Sequence, residues 1–167
     1  MIYVNSSDMP GGVTTKGFEK TFEALSISYG QSRKIGSRVG QTGRVDTSLA
    51  KVNEVIITKP YDVASTKAFE FSYSGKLLSK IVISLVRQDS SGPITYSEIT
   101  LEDVVVSNYE FGIQPSAIND ESTNNKPVET IAFNWGKMTV KNTPPGKDGT
   151  AGTPASTGWN LETNSKM

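Results

Sequence analysis

The chain has 167 residues, enough for one domain with a core, and its 17 basic and 17 acidic residues cancel. Balanced charge gives no general attraction to nucleic acid or to an anionic membrane. Cysteine and histidine are both absent, which excludes a disulfide framework, thiolate chemistry and the commonest metal ligand and general base.

Hydrophobic residues make up only 35% of the chain, but they are gathered into runs, so a core remains possible. The first residues, MIYVNSSDMPGG, lack the basic start and apolar centre of a signal peptide. No apolar run approaches the ~20 residues of a membrane span. The expectation is a protein made in the cytoplasm, with any export by a route other than a cleavable signal.

Ile2, Tyr3 and Val4 read as a first strand, and residues 5–17 as a loop rich in Gly, Ser, Thr and Pro. Phe22 to Gly30 alternates as a second strand, with Leu25, Ile27 and Tyr29 on an apolar face. Ser26, Ser28 and Gly30 form a small polar face that should meet water.

Gln31 to Leu49 is a long connection carrying Gly36, Gly40 and Gly43 among Arg33, Lys34, Arg38 and Arg44. Connections of this length are often functional. The glycine spacing fits neither the P-loop nor the dinucleotide fingerprint. A nucleic-acid patch would want aromatics among the cations, and none stands between Tyr29 and Tyr61. A solvated loop or hairpin, and an arm that docks on a partner subunit, share this composition.

Val52, Val55, Ile56 and Ile57 mark the next strand, which leads through Pro60 into the clearest helix signal of the chain. Asp62 is a good N-cap. Ala64, Ala68 and Phe71 share one helix face, Gly75 suits a left-handed C-cap, and Lys76 favours the negative end of the dipole. The helix is expected over about residues 63–74. From Leu78 to Arg87 the period becomes two, with Ile81, Ile83 and Leu85 opposite Val82, Ser84 and Val86.

Asp89 to Pro93 reads as a turn. In Ile94 to Ser107 the apolar parity slips, which predicts a bulge near Glu98 or two strands. Val104, Val105 and Val106 suit a strand buried on both faces. Pro115 to Pro127 is a polar loop, and Glu129 to Lys141 the last long strand, with a phase shift at Gly136. Thr143 to Thr157 is a low-complexity, flexible connector, after which Gly158 to Leu161 regains order through Trp159.

Nothing in the pattern supports catalysis. A Ser/His/Asp relay is impossible without histidine. Ser79 and Lys80 lie on opposite strand faces, as do Glu102 and Asp103. No carboxylate spacing matches a calcium loop. Phe69, Phe71 and Tyr73 fit core and interface better than a ligand box. No catalytic, cofactor or metal residue is assigned.

Five segments in order carry a resemblance. Ser65 to Lys76 followed by Ile81-Val-Ile-Ser84 resembles a helix reading Ser-Pro-x-Leu-x-x-Ala-x-x-x-Gly-Lys and its strand, although Thr66 stands for the proline and Ala68 for the leucine. Ile99 to Ser107 is similar to a strand leading into Val-Ser. Glu129 through Met138 resembles an aromatic-Gly/Ser-Lys-Ile pattern, Gly158 to Leu161 a terminal Gly-Trp-Asp-Leu, and Leu25 to Gly30 an early Trp-Ser-Trp-Gly strand that here lacks both tryptophans. Together they resemble the haemolysin-coregulated protein family, the inner-tube subunits of the type VI secretion system.

The resemblance implies a mainly β fold: a small antiparallel β-barrel or two packed sheets with one flanking helix, in a single domain over 1–167. It implies a non-enzymatic subunit whose homo-hexameric rings stack into a tube. A contractile sheath would surround the tube, a VgrG-like spike would cap it, and small effector proteins would ride inside. The subunit would be cytoplasmic before assembly and then secreted. It makes residues 31–49 an inter-subunit loop, with Arg33, Lys34, Arg38, Val39, Gln41 and Arg44 as stacking residues. Ser26 and Ser28 become candidates for the lumen lining. The alternatives are a phage-like contractile tail-tube protein, which shares the fold, and a monomeric β-sandwich that binds a sugar or other small ligand in an aromatic-lined pocket.

Overall fold

The computed structural model describes residues 1–36, 46–89, 92–113, 127–145 and 151–167. Its strands are β1 (Ile2–Asn5), β2 (Phe22–Ala24), β3 (Ser26–Ser28), β4 (Gln31–Ser32), β5 (Ile35–Gly36), β6 (Asp46–Thr47), β7 (Lys51–Val52) and β8 (Val55–Pro60). Helix α1 (Ser65–Ser74) follows, then β9 (Leu78–Asp89), β10 (Gly92–Ile113), β11 (Pro127–Asn134), β12 (Lys137–Asn142), β13 (Ala155–Asn160) and β14 (Ser165–Lys166).

Two antiparallel sheets share β10. The first runs β2-β1-β9-β10-β12-β13-β14 and the second β10-β11-β8-β3. The early part of β10 lies between β9 and β12; from Val105 to Ile113 it pairs with β11. The strand turns from one sheet into the other at Asp103, whose φ of 55° is left-handed. Opposite this corner Gly136 leaves room for a close approach, since a Cβ there would sit a tight 3.0 Å from the Asp103 Cβ. The Gly136 N–H also reaches the carbonyls of Glu102 and Asp103. The expected single strand from Glu129 to Lys141 is therefore two, β11 and β12, parted at the predicted phase shift.

The other slip in parity lies at Tyr96. Thr95 pairs with Val86 and Ser97 with Leu85, so Tyr96 is the extra residue of a bulge within one continuous strand. Val104 and Val106 are buried and Val105 is half-buried. The corner changes the expectation for Glu102 and Asp103. The left-handed Asp103 brings both carboxylates to one ammonium, with Lys137 Nζ 2.9 Å from Asp103 and 4.0 Å from Glu102.

The helix starts at Ser65, two residues later than expected, because Asp62 organises a turn first. Its carboxylate accepts from Ala64 N–H at 2.9 Å, and its own N–H donates to Ser65 Oγ at 2.9 Å. This reciprocal pair resembles a capping box set two residues before the formal cap. Ala64 occupies the formal cap position without a side-chain bond. Gly75 closes the helix at φ 61°, as its position predicts, with its N–H on the Phe71 carbonyl. Lys76 reaches Asp8 at 2.7 Å and lies over the Phe71 ring.

Ala64, Ala68 and Phe71 bury their face of α1 against a core supplied by both sheets, including Val4, Phe22, Ile81, Ile83, Leu101, Ile57 and Phe133. At ~25 cal/mol per Å2 of apolar surface removed from water, this burial is the main force holding helix to sheets. Phe69 and Tyr73 point outward and are exposed.

The strand expected over Phe22 to Gly30 is broken at Leu25, where the chain leaves the first sheet as β2 and joins β8 in the second as β3. Its supposed apolar face is only partly covered. Ile27 is half-buried, but Leu25 and Tyr29 flank a three-residue edge strand and stay exposed. At the other end, β13 already begins at Ala155 and runs antiparallel to β12, with Trp159 opposite Met138. Residues 155–157 thus belong to a strand rather than to the connector.

Candidate assembly surfaces and a buried ionic cluster

Pairing in the second sheet sorts its side chains into two faces, because directly opposed residues point the same way. One row runs Ser26, Thr58, Thr130, Glu110; the next runs Ser28, Ile56, Ala132, Asn108. These rows form the outward face. Ser26, Ser28, Glu110 and Asn108 are exposed, and the Thr58 and Thr130 hydroxyls stand 3.4 Å apart. The intervening row, Ile27, Ile57, Ile131 and Tyr109, faces the core and α1. The two serines thus lie on a mostly polar, hydroxyl-bearing wall four strands wide, with Ile56 exposed among them.

Residues 31–36 and 46–52 run back antiparallel as the stem of an arm, with Gln31 opposite Val52 and Ile35 opposite Thr47. Ser48 clasps the stem: its Oγ accepts from Lys34 N–H and donates to the Lys34 carbonyl, at 3.1 and 3.0 Å. Arg33 and Lys34 are exposed on this stem. Arg38, Val39, Gln41 and Arg44 lie outside the described residues.

Behind the polar wall sits a cluster missing from the sequence-based expectations. Lys59 and Glu129 are buried, with Lys59 Nζ 2.6 Å from Glu129 Oε1. The ammonium also donates to Asp62 at 2.7 Å, to the Pro60 carbonyl at 2.9 Å and to Ser65 Oγ at 3.1 Å. Glu129 accepts from Ser65 Oγ at 2.9 Å and, through Oε2, from the Tyr109 hydroxyl at 2.7 Å. Burial, then the bond to Glu129, holds the Tyr109 phenol well above its ordinary range. Lys59 and Ser65 thus form a buried side-chain contact between a lysine and a serine. A legible signal existed: Val55, Ile57, Lys59 and Glu129, Ile131, Phe133 each place a charge of opposite sign on an inward parity.

Beside the helix, the exposed aromatics Tyr61, Phe69, Tyr73 and Phe111 gather around the half-buried Tyr109. Tyr61 meets Phe111 edge-on, and Phe69 meets both Tyr73 and Tyr109. A separate groove of about 340 Å3 lies between the arm's root and the β12–β13 hairpin, walled by Trp135 and Trp159. Among the described residues no group of three or more His, Cys, Asp or Glu could hold a metal ion. No helix among them is long and apolar enough to cross a membrane.

Two packed antiparallel sheets sharing a bent strand, one flanking helix and a projecting arm define a β-sheet subunit built around a single core. The family described as "Type VI secretion system effector, Hcp" matches residues 3–141. The chain belongs to that family. Solved structures show the same fold. One described as a type six secretion system protein is 23% identical with a TM-score of 0.88, the match covering 99% of this chain and 98% of that one. Hcp1 from Salmonella typhimurium is 16% identical with a TM-score of 0.73, covering 99% and 97%. A type VI secretion system effector from Yersinia pestis is 16% identical with a TM-score of 0.68, covering 96% and 99%. No curated protein sequence is a match.

Proposed function

We propose that this chain is a non-enzymatic inner-tube subunit: six copies close into a ring, rings stack into a tube, and contraction of a surrounding sheath expels the tube from the cell. A VgrG-like spike caps it and small effector proteins ride in its lumen. The protein is cytoplasmic before assembly and is then secreted. The observation that carries this reading is the family match over residues 3–141.

Three features of the fold support it. The wall bearing Ser26 and Ser28 is mostly polar, with the hydroxyls of Thr58 and Thr130 beside them and Ile56 as its exposed apolar residue, as suits a face that meets water. The arm stem leaves Arg33 and Lys34 exposed, where a neighbouring ring can meet them. The contact of the Lys59 ammonium with Ser65 Oγ is sealed in the core, so no substrate reaches it.

Light scattering of the purified protein, with negative-stain images of the same fraction, tests the reading. A species near six times 18.0 kDa with ring-shaped particles is expected. Replacing Arg38 and Arg44 with alanine should leave rings intact and abolish their stacking. A clean monomer at high concentration overturns the proposal. Cysteines at Ser26 and Ser28 should cross-link to bound cargo, and a consistent absence of cross-links would remove the lumen role.

A further inference from the structure

The only two tryptophans of the chain, Trp135 and Trp159, wall the same groove. Trp135 is almost wholly buried at its floor. Trp159 is 42% exposed, so a large apolar surface stands open to water. Met138 and Val140 from β12 extend the apolar lining, and Val52 closes it from the arm's root. Among the described residues Arg33 is the one charged side chain lining the groove, and none of them forms an ion pair or hydrogen bond with its guanidinium.

We propose that this groove binds a small ligand with an apolar body and a single carboxylate, such as a medium-chain acyl or aryl acid. A volume of about 340 Å3 falls within the range of small-molecule sites, which are mostly apolar with a few polar groups that fix orientation. The lining here follows that pattern: apolar walls hold the body, and Arg33 at the rim supplies the complementary charge. A second copy of this chain is the rival occupant. A stable contact between subunits takes roughly 800 Å2 from each partner, whereas this groove holds one acyl chain or one ring. The proposal does not depend on ring formation.

Intrinsic fluorescence reads the site directly, because no tryptophan lies elsewhere. Octanoate, which neither absorbs nor emits in the tryptophan range, is titrated into the purified protein at constant ionic strength. A saturable change in emission is expected, half complete at about 1 mM. Octanamide, with the same body and no charge, should bind about fivefold more weakly, the scale of an exposed ion pair. Arg33→Gln should erase that difference and leave octanamide binding unchanged. Trp159→Phe keeps the wall apolar and moves the readout to Trp135. The absence of a saturable change, or equal affinity for octanoate and octanamide in the unaltered protein, overturns the proposal. Emission that depends on protein concentration and ignores octanoate assigns the groove to a second copy, and overturns it as well.

Discussion

Replacing Lys59 with methionine removes the charge from the centre of the buried cluster and keeps most of the side-chain volume. Among the described residues Glu129, fully buried, then retains two neutral donors, Ser65 Oγ at 2.9 Å and Tyr109 OH at 2.7 Å. Breaking one partner from a buried pair costs about 3–5 kcal/mol, because the remaining charge is neither hydrated nor paired. Four acceptors crowd an ammonium with three protons, so no single bond accounts for the loss. Set against a typical domain stability of about 5–15 kcal/mol, Lys59→Met should sharply lower the urea midpoint while the protein still folds in the cold. The double variant Lys59→Met, Glu129→Leu should recover at least about 2 kcal/mol relative to the sum of the single losses. A loss under about 1 kcal/mol in Lys59→Met, or strict additivity in the double variant, would refute the reasoning.

The exposed pair Lys67–Glu70, at 2.7 Å with both side chains about half in solvent, offers the contrast: Lys67→Ala should move the same midpoint by under about 0.5 kcal/mol. Gly11→Ala should cost about 2 kcal/mol or more in thermal unfolding, because the new Cβ would overlap the Thr21 carbonyl and the Phe22 Cβ, neither of which is a flexible chain end. Tyr109 gives a pH dependence. Its folded pKa lies above the ordinary 10.0, so the folded state holds this proton more tightly than the unfolded chain does. The associated stability is fully present below about pH 10 and is lost as pH rises toward the folded value. Tyr109→Phe should flatten the alkaline fall in the urea midpoint, and identical slopes in both proteins would contradict the assignment.

Much of the fold was legible because it rests on local signals. Ala64, Ala68 and Phe71 fixed the helix face, Gly75 its end, and the alternation from Leu78 its following strand. Even the interruptions left traces, since the parity slips before Glu98 and at Gly136 mark the Tyr96 bulge and the corner opposite Asp103. What failed was any feature set by which sheet a residue joins. Leu25 belongs to the same alternating run as Phe22 and Ile27, but the chain changes partners there, from β1 to β8. Nothing in a period of two records a change of partner.

The outward wall and the buried cluster are two sides of one arrangement. Thr58 and Lys59 are neighbours in β8, as are Glu129 and Thr130 in β11, so their side chains must point to opposite faces. A slip of one residue between these strands would turn a threonine into the core and expose a charge. Such an error costs a few kcal/mol in a purely apolar strand; here it would also break the 2.6 Å pair and leave its partner buried alone. Lys59 and Glu129, with Ser65 and Asp62 tying them to the start of α1, therefore lock the register that places Ser26, Thr58, Thr130 and Glu110 in one row on the opposite face. In this sheet the register of the outward face is fixed from behind, by charges that never reach the surface they align.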